Sequence, residues 1–186
     1  MITDTPCVIL SGGKSSRMGE DKSFLTFSNK TLIEYQYDRL SKIFSNVYIS
    51  SKTNKFDFDC DIIYDKDQSV SSPMVALGSI FDFITTQKVF IITVDTPLIT
   101  HKTLNTLLEK SIDYDITIAT NSNKVHNLCG VFSKKLNVKI DEYLEQDMHK
   151  INYLIKNTKS VRKVLFDDTK EFININTKND YARLKS

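Results

Sequence analysis

Short apolar runs alternate along this chain with segments of helical periodicity. Residues 7–10 and 89–94 are β-prone and almost wholly apolar. Strands that are apolar on both faces are buried on both faces, which is typical of a parallel sheet covered by helices on each side. The sequence therefore predicts a Rossmann-like α/β fold, in which a mostly parallel sheet is flanked by helices.

The remaining elements follow the same alternation. Pro73 opens one predicted helix, since proline is favoured in the first turn. No repeat, low-complexity stretch or Pro/Gly-rich linker interrupts the 186 residues, so we predict a single domain, residues 1–186. Strands are predicted at 7–10, 47–49, 62–64, 89–94, 115–119, 128–132, 161–166 and 172–175, and helices at 32–44, 73–84, 102–110, 136–143, 151–155 and 178–184.

Charge and hydropathy exclude several classes of partner. Lys and Arg number 25 against 23 Asp and Glu, a net charge of +2, so no overall field attracts nucleic acid or an anionic membrane. The apolar runs are far shorter than the roughly 20 residues that cross a bilayer, and residues 1–13 lack the regions of a signal peptide. We expect a cytoplasmic protein that binds neither nucleic acid nor membrane. Its three cysteines, without CxxC spacing, predict reduced thiols.

A glycine-rich loop follows the first predicted strand. The chain has only five glycines, and Gly12, Gly13 and Gly19 fall within this loop. Glycine lets the backbone approach a ligand and turn its N–H groups toward phosphate, while Arg17 and Lys22 add positive charge. The spacing does not match a Walker A loop. We predict a phosphate-binding loop, with a tight turn bearing solvated basic side chains as the alternative.

Two aspartates follow predicted strands. Asp95 comes directly after the buried strand 89–94, at the end of the sheet where open α/β folds bind ligands. Mg²⁺ prefers oxygen ligands and often takes one or two carboxylates, so we predict that Asp95 binds it. The alternative is a cap for the next helix. Asp65 follows strand 62–64 and is predicted to frame a nucleotide from the other side, or to serve a turn.

The glycine-rich loop also carries a family resemblance. Residues 10–13, Arg17-Met18-Gly19 and Asp21-Lys22 resemble the LAGGxxxRMGxDK signature of the nucleotidyltransferase family that includes the molybdenum cofactor guanylyltransferases, or MobA proteins. The resemblance continues through residues 73–77, 94–97, His126 and 174–177, so it spans essentially the whole chain. The Asn-x-Asn-Thr of 174–177 and the short chain favour the guanylyltransferases over the longer sugar-nucleotide pyrophosphorylases.

The resemblance implies a nucleotidyltransferase that moves GMP from GTP to the phosphate of Mo-molybdopterin, releases pyrophosphate and uses Mg²⁺. It leaves room for transient contacts with proteins that supply or accept the cofactor. The implied catalytic residues are Arg17, Lys22 and Asp95. The implied nucleotide-binding residues are Leu10, Ser11, Gly12, Gly13, Lys22, Ser50, Asp65 and Asp95, with Asp95 as metal ligand. The implied pterin side comprises His126, Asn174 and Asn176, which otherwise would be polar loop or capping residues.

The chain departs from the family pattern in ways that leave alternatives open. Ser11 stands where the family has alanine, and Ser50 where it has asparagine, so the base preference is open. Asn127 and Lys178 replace two prolines of the pattern. One rival is a transferase of the same fold that uses CTP with molybdopterin or an NTP with a sugar phosphate. The other is a non-catalytic nucleotide- or cofactor-binding protein, and the retention of Arg17, Lys22 and Asp95 together argues against it.

Overall fold

The computed structural model describes residues 3–11, 21–122, 124–175 and 180. Nine strands are assigned within these residues: β1 (Cys7–Leu10), β2 (Thr26–Phe27), β3 (Lys30–Thr31), β4 (Val47–Ser51), β5 (Asp61–Tyr64), β6 (Lys88–Thr93), β7 (Ile116–Thr120), β8 (Val125–Ser133) and β9 (Val161–Leu165). The α-helices are α1 (Leu32–Leu40), α2 (Pro73–Phe83), α3 (His101–Glu109), α4 (Asn137–Glu145) and α5 (Ile151–Asn157). Short 3-10 helices occupy Lys22–Phe24, Lys134–Leu136 and Lys170–Phe172.

Seven strands form the central sheet, in the order β5-β4-β1-β6-β8-β7-β9. Strands β5, β4, β1 and β6 are parallel to one another, and β7 is parallel to β9. Strand β8 runs antiparallel to both of its neighbours, β6 and β7. The prediction of a mostly parallel α/β sheet is confirmed.

Two hydrophobic clusters cover the sheet. One packs side chains of α1 and α3 with those of β1 and β6, and the other packs α2, α4 and α5 with alternate residues of the same strands. Because successive residues of a strand point to opposite faces, β1 contributes Ile9 to the first cluster and Val8 to the second. The arrangement is therefore a three-layer structure with helices on both faces of the sheet.

Side-chain caps fix where three of the helices begin. The hydroxyl groups of Thr31, Ser72 and Thr100 each accept a hydrogen bond from the backbone N–H three residues later. Such caps satisfy donors that the first turn of a helix leaves unpaired. The cap at Ser72 and the proline that follows it place the beginning of α2 beside the carboxyl end of the sheet.

The structure differs from the sequence predictions at three places. The strand predicted at 172–175 is wrong: the 3-10 helix Lys170–Phe172 is followed by irregular backbone, and the Ile175 N–H pairs with Asp95 rather than with a strand. Helix α1 ends at Leu40, short of the predicted residue 44. The hairpin β2–β3 was not predicted. Of the predicted helix 178–184, only Asp180 is described. Within the described residues, no helix is long and apolar enough to cross a membrane.

Candidate active site

A cavity of about 240 Å³ opens at the carboxyl ends of β1, β4 and β6. Parallel strands end at the same edge of a sheet, so the residues that follow them meet there. We call this space the strand-end cavity. Four residues of the predicted nucleotide site line it: Leu10, Ser11, Ser50 and Asp65. Its other walls include Asp21, Lys52, Lys55, the beginning of α2, Thr93 and Leu128.

Ser11, Ser50 and Asp65 form a connected hydrogen-bond chain along one wall. The N–H and the hydroxyl of Ser11 both donate to the Ser50 carbonyl, at 3.1 and 3.0 Å. The Ser50 hydroxyl in turn donates to the Asp65 carboxylate at 3.3 Å. The two serines that depart from the family pattern are thus hydrogen-bonded to each other. The Ser50 hydrogen bond holds the Asp65 carboxylate at the cavity wall.

The pKa of Asp65 reflects opposing effects of burial and of its polar neighbours. Burial raises its pKa above the ordinary aspartate value, while the Ser50 hydrogen bond and the charge of Lys52 oppose that rise. Asp65 and Lys52 both line the strand-end cavity. A half-buried carboxylate beside an ammonium group offers a hydrogen-bond acceptor and a donor side by side, which suits the polar edge of a base or the hydroxyls of a ribose.

An ion pair joins the beginning of the Lys22–Phe24 helix to the loop after β4. Lys55 Nζ binds the Asp21 carboxylate, whose other oxygen accepts from the Ser23 N–H at 3.0 Å. Burial alone would raise the pKa of Asp21, but the bonds from Lys55 and Ser23 outweigh it and lower the pKa. Lys55 also lies 5.8 and 5.7 Å from the ring centres of Phe24 and Phe56.

Asp95 lies just past the end of β6 and has three side-chain neighbours. The Thr93 hydroxyl donates to one carboxylate oxygen at 2.6 Å. The other oxygen lies 3.8 Å from Lys22 Nζ and accepts from the Asn174 amide at 3.4 Å. The Ile175 N–H also donates to the Asp95 carbonyl at 2.8 Å. Two predicted catalytic residues and one predicted pterin-side residue are therefore brought together.

The oxygen atoms at this point fit a hard divalent cation. Asp95 offers a partly exposed carboxylate, whereas Asn174 turns its amide nitrogen toward that carboxylate and keeps its Oδ1 buried. Mg²⁺ sites commonly use one or two such protein oxygens and complete the octahedron with water and substrate phosphates. Asp95 is accordingly the residue, among those described, that would hold a metal ion, with Asn174 supporting its carboxylate.

His126 lies outside the lining of the strand-end cavity. Its ring stacks on Phe172 at 4.4 Å, only two residues before Asn174, and its Nε2 has no partner among the described residues. Burial, reinforced by the charge of Lys124, lowers the pKa of His126 to about 4. The histidine is therefore neutral at physiological pH and packs as an aromatic side chain.

Four predicted site residues lie outside the described residues: Gly12, Gly13, Arg17 and Asn176. Sequence reasoning missed Thr93 and Lys55. Thr93 stands two residues before Asp95 at the end of the same strand, a position that could have indicated its role. Lys55 meets Asp21 across 34 residues of chain, and no local pattern indicates that contact.

Comparisons with known proteins identify the family of this chain. The model of the MobA-like NTP transferase domain matches residues 7–161. The molybdenum cofactor guanylyltransferase of Campylobacter jejuni (strain RM1221) is 38% identical over 187 residues, covering 100% of this chain and 97% of that protein. The enzyme of the same name from Helicobacter pylori (strain ATCC 700392 / 26695) is 32% identical, covering 97% and 92%.

A solved structure resembles the fold as well. The crystal structure of molybdopterin-guanine dinucleotide biosynthesis protein A from Archaeoglobus fulgidus superimposes with a TM-score of 0.81 at 17% identity, covering 96% of each chain. At that identity the likeness shows the fold alone. The match of the family model and the two full-length relatives decide the assignment: this chain belongs to the family of MobA-like NTP transferases.

Proposed function

We propose that the protein transfers GMP from GTP to the terminal phosphate of Mo-molybdopterin, in the cytoplasm, giving molybdopterin guanine dinucleotide and pyrophosphate. The observation that carries the proposal is the meeting of Lys22, Asp95 and Asn174 next to Thr93, which lines the strand-end cavity and donates to Asp95. The full-length similarity to proteins named molybdenum cofactor guanylyltransferase supports the choice of GTP and of molybdopterin.

The proposed reaction is an in-line displacement. An oxygen of the molybdopterin phosphate forms a bond to the α-phosphorus of GTP, the bond from that phosphorus to the bridging oxygen breaks, and pyrophosphate leaves with the electron pair. A phosphate monoester has a second pKa of about 6 and is already nucleophilic at neutral pH. The reaction therefore needs positioning and positive charge more than it needs a general base.

The residues of the chain have separate tasks in this proposal. The glycine-rich loop, with Arg17, holds the triphosphate, and Lys22 neutralises negative charge that develops on the phosphates. Asp95, supported by Asn174, would hold Mg²⁺, which when bound would supply further charge neutralisation at the α-phosphate and the leaving group. Ser11, Ser50 and Asp65 bind the nucleoside. The pterin phosphate is assigned to the side of His126 and Asn174, because Asn174 contacts Asp95, and Asn176 keeps its predicted role beside them in the sequence.

Calorimetric titration with GTP, CTP and ATP, each with Mg²⁺, tests the nucleotide. We expect GTP to bind at least tenfold more tightly than the other two. Conversion of labelled GTP to the dinucleotide in the presence of Mo-molybdopterin then tests the transfer. A preference for CTP would change the assignment to cytidylyl transfer, and failure to bind any triphosphate would contradict the proposal.

A further inference from the structure

The loop that carries Asp95 is tied to helix α1 at both of its ends. At the first end, the Thr93 carbonyl accepts a hydrogen bond from Gln36 Nε2 at 3.4 Å. At the other end, the Ile99 carbonyl accepts from Arg39 Nη1. Gln36 and Arg39 lie one turn apart on α1 and are bonded to each other, with Arg39 Nη2 donating to Gln36 Oε1 at 2.7 Å. Residues 94–99 therefore span two fixed points on one helix.

The chemistry of these groups allows one orientation of the Gln36 amide. A guanidinium group donates and never accepts, so the amide oxygen must face Arg39. The amide NH₂ is then left to face the Thr93 carbonyl. Gln36 is fully buried, at 0% exposure, so its side chain has no water to replace either bond. Side chains of α1 are therefore the donors, and the backbone carbonyls of Thr93 and Ile99 are the acceptors.

Arg39 carries its charge in a partly buried position, which packing alone does not require. Burial lowers its pKa, and no carboxylate forms an ion pair with it among the described residues. A partly buried charge that has lost hydration without gaining a carboxylate partner is unfavourable. The planar guanidinium compensates by binding two acceptors at once, the Ile99 carbonyl and the Gln36 amide, which a lysine ammonium on a flexible stem cannot do with the same geometry.

We propose that Gln36 and Arg39 are positioning residues for Asp95, which hold its carboxylate in the orientation that a metal ion requires. The inference rests on the proposed nucleotidyl transfer, in which Asp95 binds Mg²⁺. The connection is short, because Thr93, whose carbonyl accepts from Gln36 and from the Thr96 hydroxyl, donates its own hydroxyl to the Asp95 carboxylate. A shift of Thr93 therefore displaces the carboxylate as well.

Gln36→Glu is the most informative variant. It keeps the size of the side chain and the acceptor for Arg39, but it replaces the donor to the Thr93 carbonyl with a second oxygen. We expect the Mg²⁺ concentration for half-maximal transfer to rise on the order of 10- to 100-fold, the range seen when groups that orient metal ligands are removed. Excess Mg²⁺ should restore turnover, and GTP affinity measured in EDTA should not change.

Direct binding of Mn²⁺ to the GTP complex, followed by electron paramagnetic resonance, gives a readout that does not depend on turnover. Its affinity should fall by the same factor in Gln36→Glu. Arg39→Lys keeps the charge, loses the planar fork, and should shift Mn²⁺ affinity in the same direction. Lys88→Met is the matched control, because Lys88 Nζ also binds two backbone carbonyls, those of Ser111 and Ile112, at a turn that does not carry Asp95.

The outcomes separate the inference from the function on which it rests. If the wild-type GTP complex binds no Mn²⁺, the proposed function fails and the inference fails with it. If the wild type binds Mn²⁺ and folded Gln36→Glu or Arg39→Lys binds it equally well, the inference alone is overturned. An equal loss in Lys88→Met would also overturn it, because the effect would then follow from stability alone.

Discussion

The hydroxyl of Ser50 donates a hydrogen bond to the carboxylate of Asp65 across 3.3 Å, and this bond opposes the rise in the Asp65 pKa that burial causes. In Ser50→Ala the carboxylate loses that donor, and its pKa should rise further. We expect GTP affinity to fall about fivefold, corresponding to about 1 kcal/mol, the usual contribution of one such bond. Calorimetry at pH 7 measures it.

Ser69→Ala provides the control for this prediction. Ser69 also donates to an aspartate, Asp67, at 2.6 Å, but the pair is exposed and lies outside the lining of the strand-end cavity. GTP affinity should be unchanged in that variant. Equal GTP affinities for Ser50→Ala and the wild type would show that GTP binding does not depend on the hydrogen bond from Ser50 to Asp65.

Asp95→Asn should abolish most of the turnover while leaving the fold intact. The amide cannot supply the negative charge that the metal and Lys22 require, so we expect the rate to fall roughly 100-fold or more. The Asp95–Lys22 pair is partly exposed, at 19% and 26%, so its loss should change the free energy of unfolding by about 1 kcal/mol or less. Transfer rates and urea unfolding measure the two effects.

Asp141→Asn is the comparison for Asp95→Asn, because Asp141 also pairs with a lysine, Lys66, at 2.9 Å, on the helical surface. Its turnover should equal that of the wild type. Turnover close to the wild-type rate in Asp95→Asn would show that Asp95 is not a ligand on which the reaction depends, and would remove it from the proposed metal site.

Lys55→Met should weaken nucleotide binding more than it weakens the fold. The change removes a cation from the cavity wall and frees Asp21, which caps the short helix that begins with Lys22. We expect GTP to bind about 3- to 10-fold more weakly, or about 0.7 to 1.4 kcal/mol. Lys30→Met is the control, since Lys30 pairs with Glu34 on the exposed face of α1. If both variants bind GTP alike, Lys55 has no part in the site.

The stability of the protein should depend on His126 at mildly acidic pH. The folded protein holds the pKa of His126 at about 4, whereas an unfolded histidine has a pKa of about 6.5. Between these values the unfolded state binds more protons, so stability falls as the pH falls from 6.5 to 4. The contribution is on the order of 1 to 3 kcal/mol over this window.

His126→Gln should therefore flatten the dependence of unfolding free energy on pH below 6.5, although it loses the contact with Phe172 and is less stable at pH 7. Lys124→Met removes a charge that lowers the same pKa and should flatten the dependence partially. Urea unfolding between pH 4 and 8 measures both. If the unfolding free energy of His126→Gln falls below pH 6.5 as steeply as that of the wild type, another group causes the loss of stability in acid.

Two glycines should respond oppositely to alanine. A Cβ at Gly130 in β8 would lie 2.0 Å from the Thr117 carbonyl oxygen of β7, so Gly130→Ala should destabilise the protein by about 3 kcal/mol. A Cβ at Gly78 in α2 would meet only the flexible end of Lys66 at 3.2 Å, apart from Ile140 at 3.4 Å. Gly78→Ala should be neutral or stabilising by up to about 1 kcal/mol. Thermal unfolding distinguishes them, and equal melting temperatures would contradict the strand contact.

The strands of the sheet could be predicted because consecutive residues of the sequence indicate them. Runs such as Cys7–Leu10 are apolar at consecutive positions, and only a strand covered on both faces buries them all. The run 172–175 has a similar composition, yet Phe172 and Ile175 are buried by packing without strand pairing. The β2–β3 turn was missed because Ser28 and Asn29 adopt φ of 51° and 66° without the glycine that usually signals such a turn.

The site was predicted where a residue follows a strand and missed where two distant segments meet. Asp65 and Asp95 each stand at the end of a parallel strand, so the topology alone brings them to one edge of the sheet. The contact of Lys55 with Asp21 joins two distant segments, and the contact of Arg39 with Ile99 joins helix α1 to the loop after β6. Both contacts depend on loop conformations, which hydrophobic periodicity does not indicate.

The contact between Asn174 and Asp95 joins residues 79 positions apart, and the neighbouring Ile175 N–H binds the same aspartate through its carbonyl. During synthesis, the strand that precedes Asp95 leaves the ribosome long before Asn174 does. The sheet can therefore form around an aspartate whose last support has not yet been made. Shortened chains that end before Asn174 would keep most of the core but lack these two contacts, so Asp95 would keep only the support of Thr93 and Lys22.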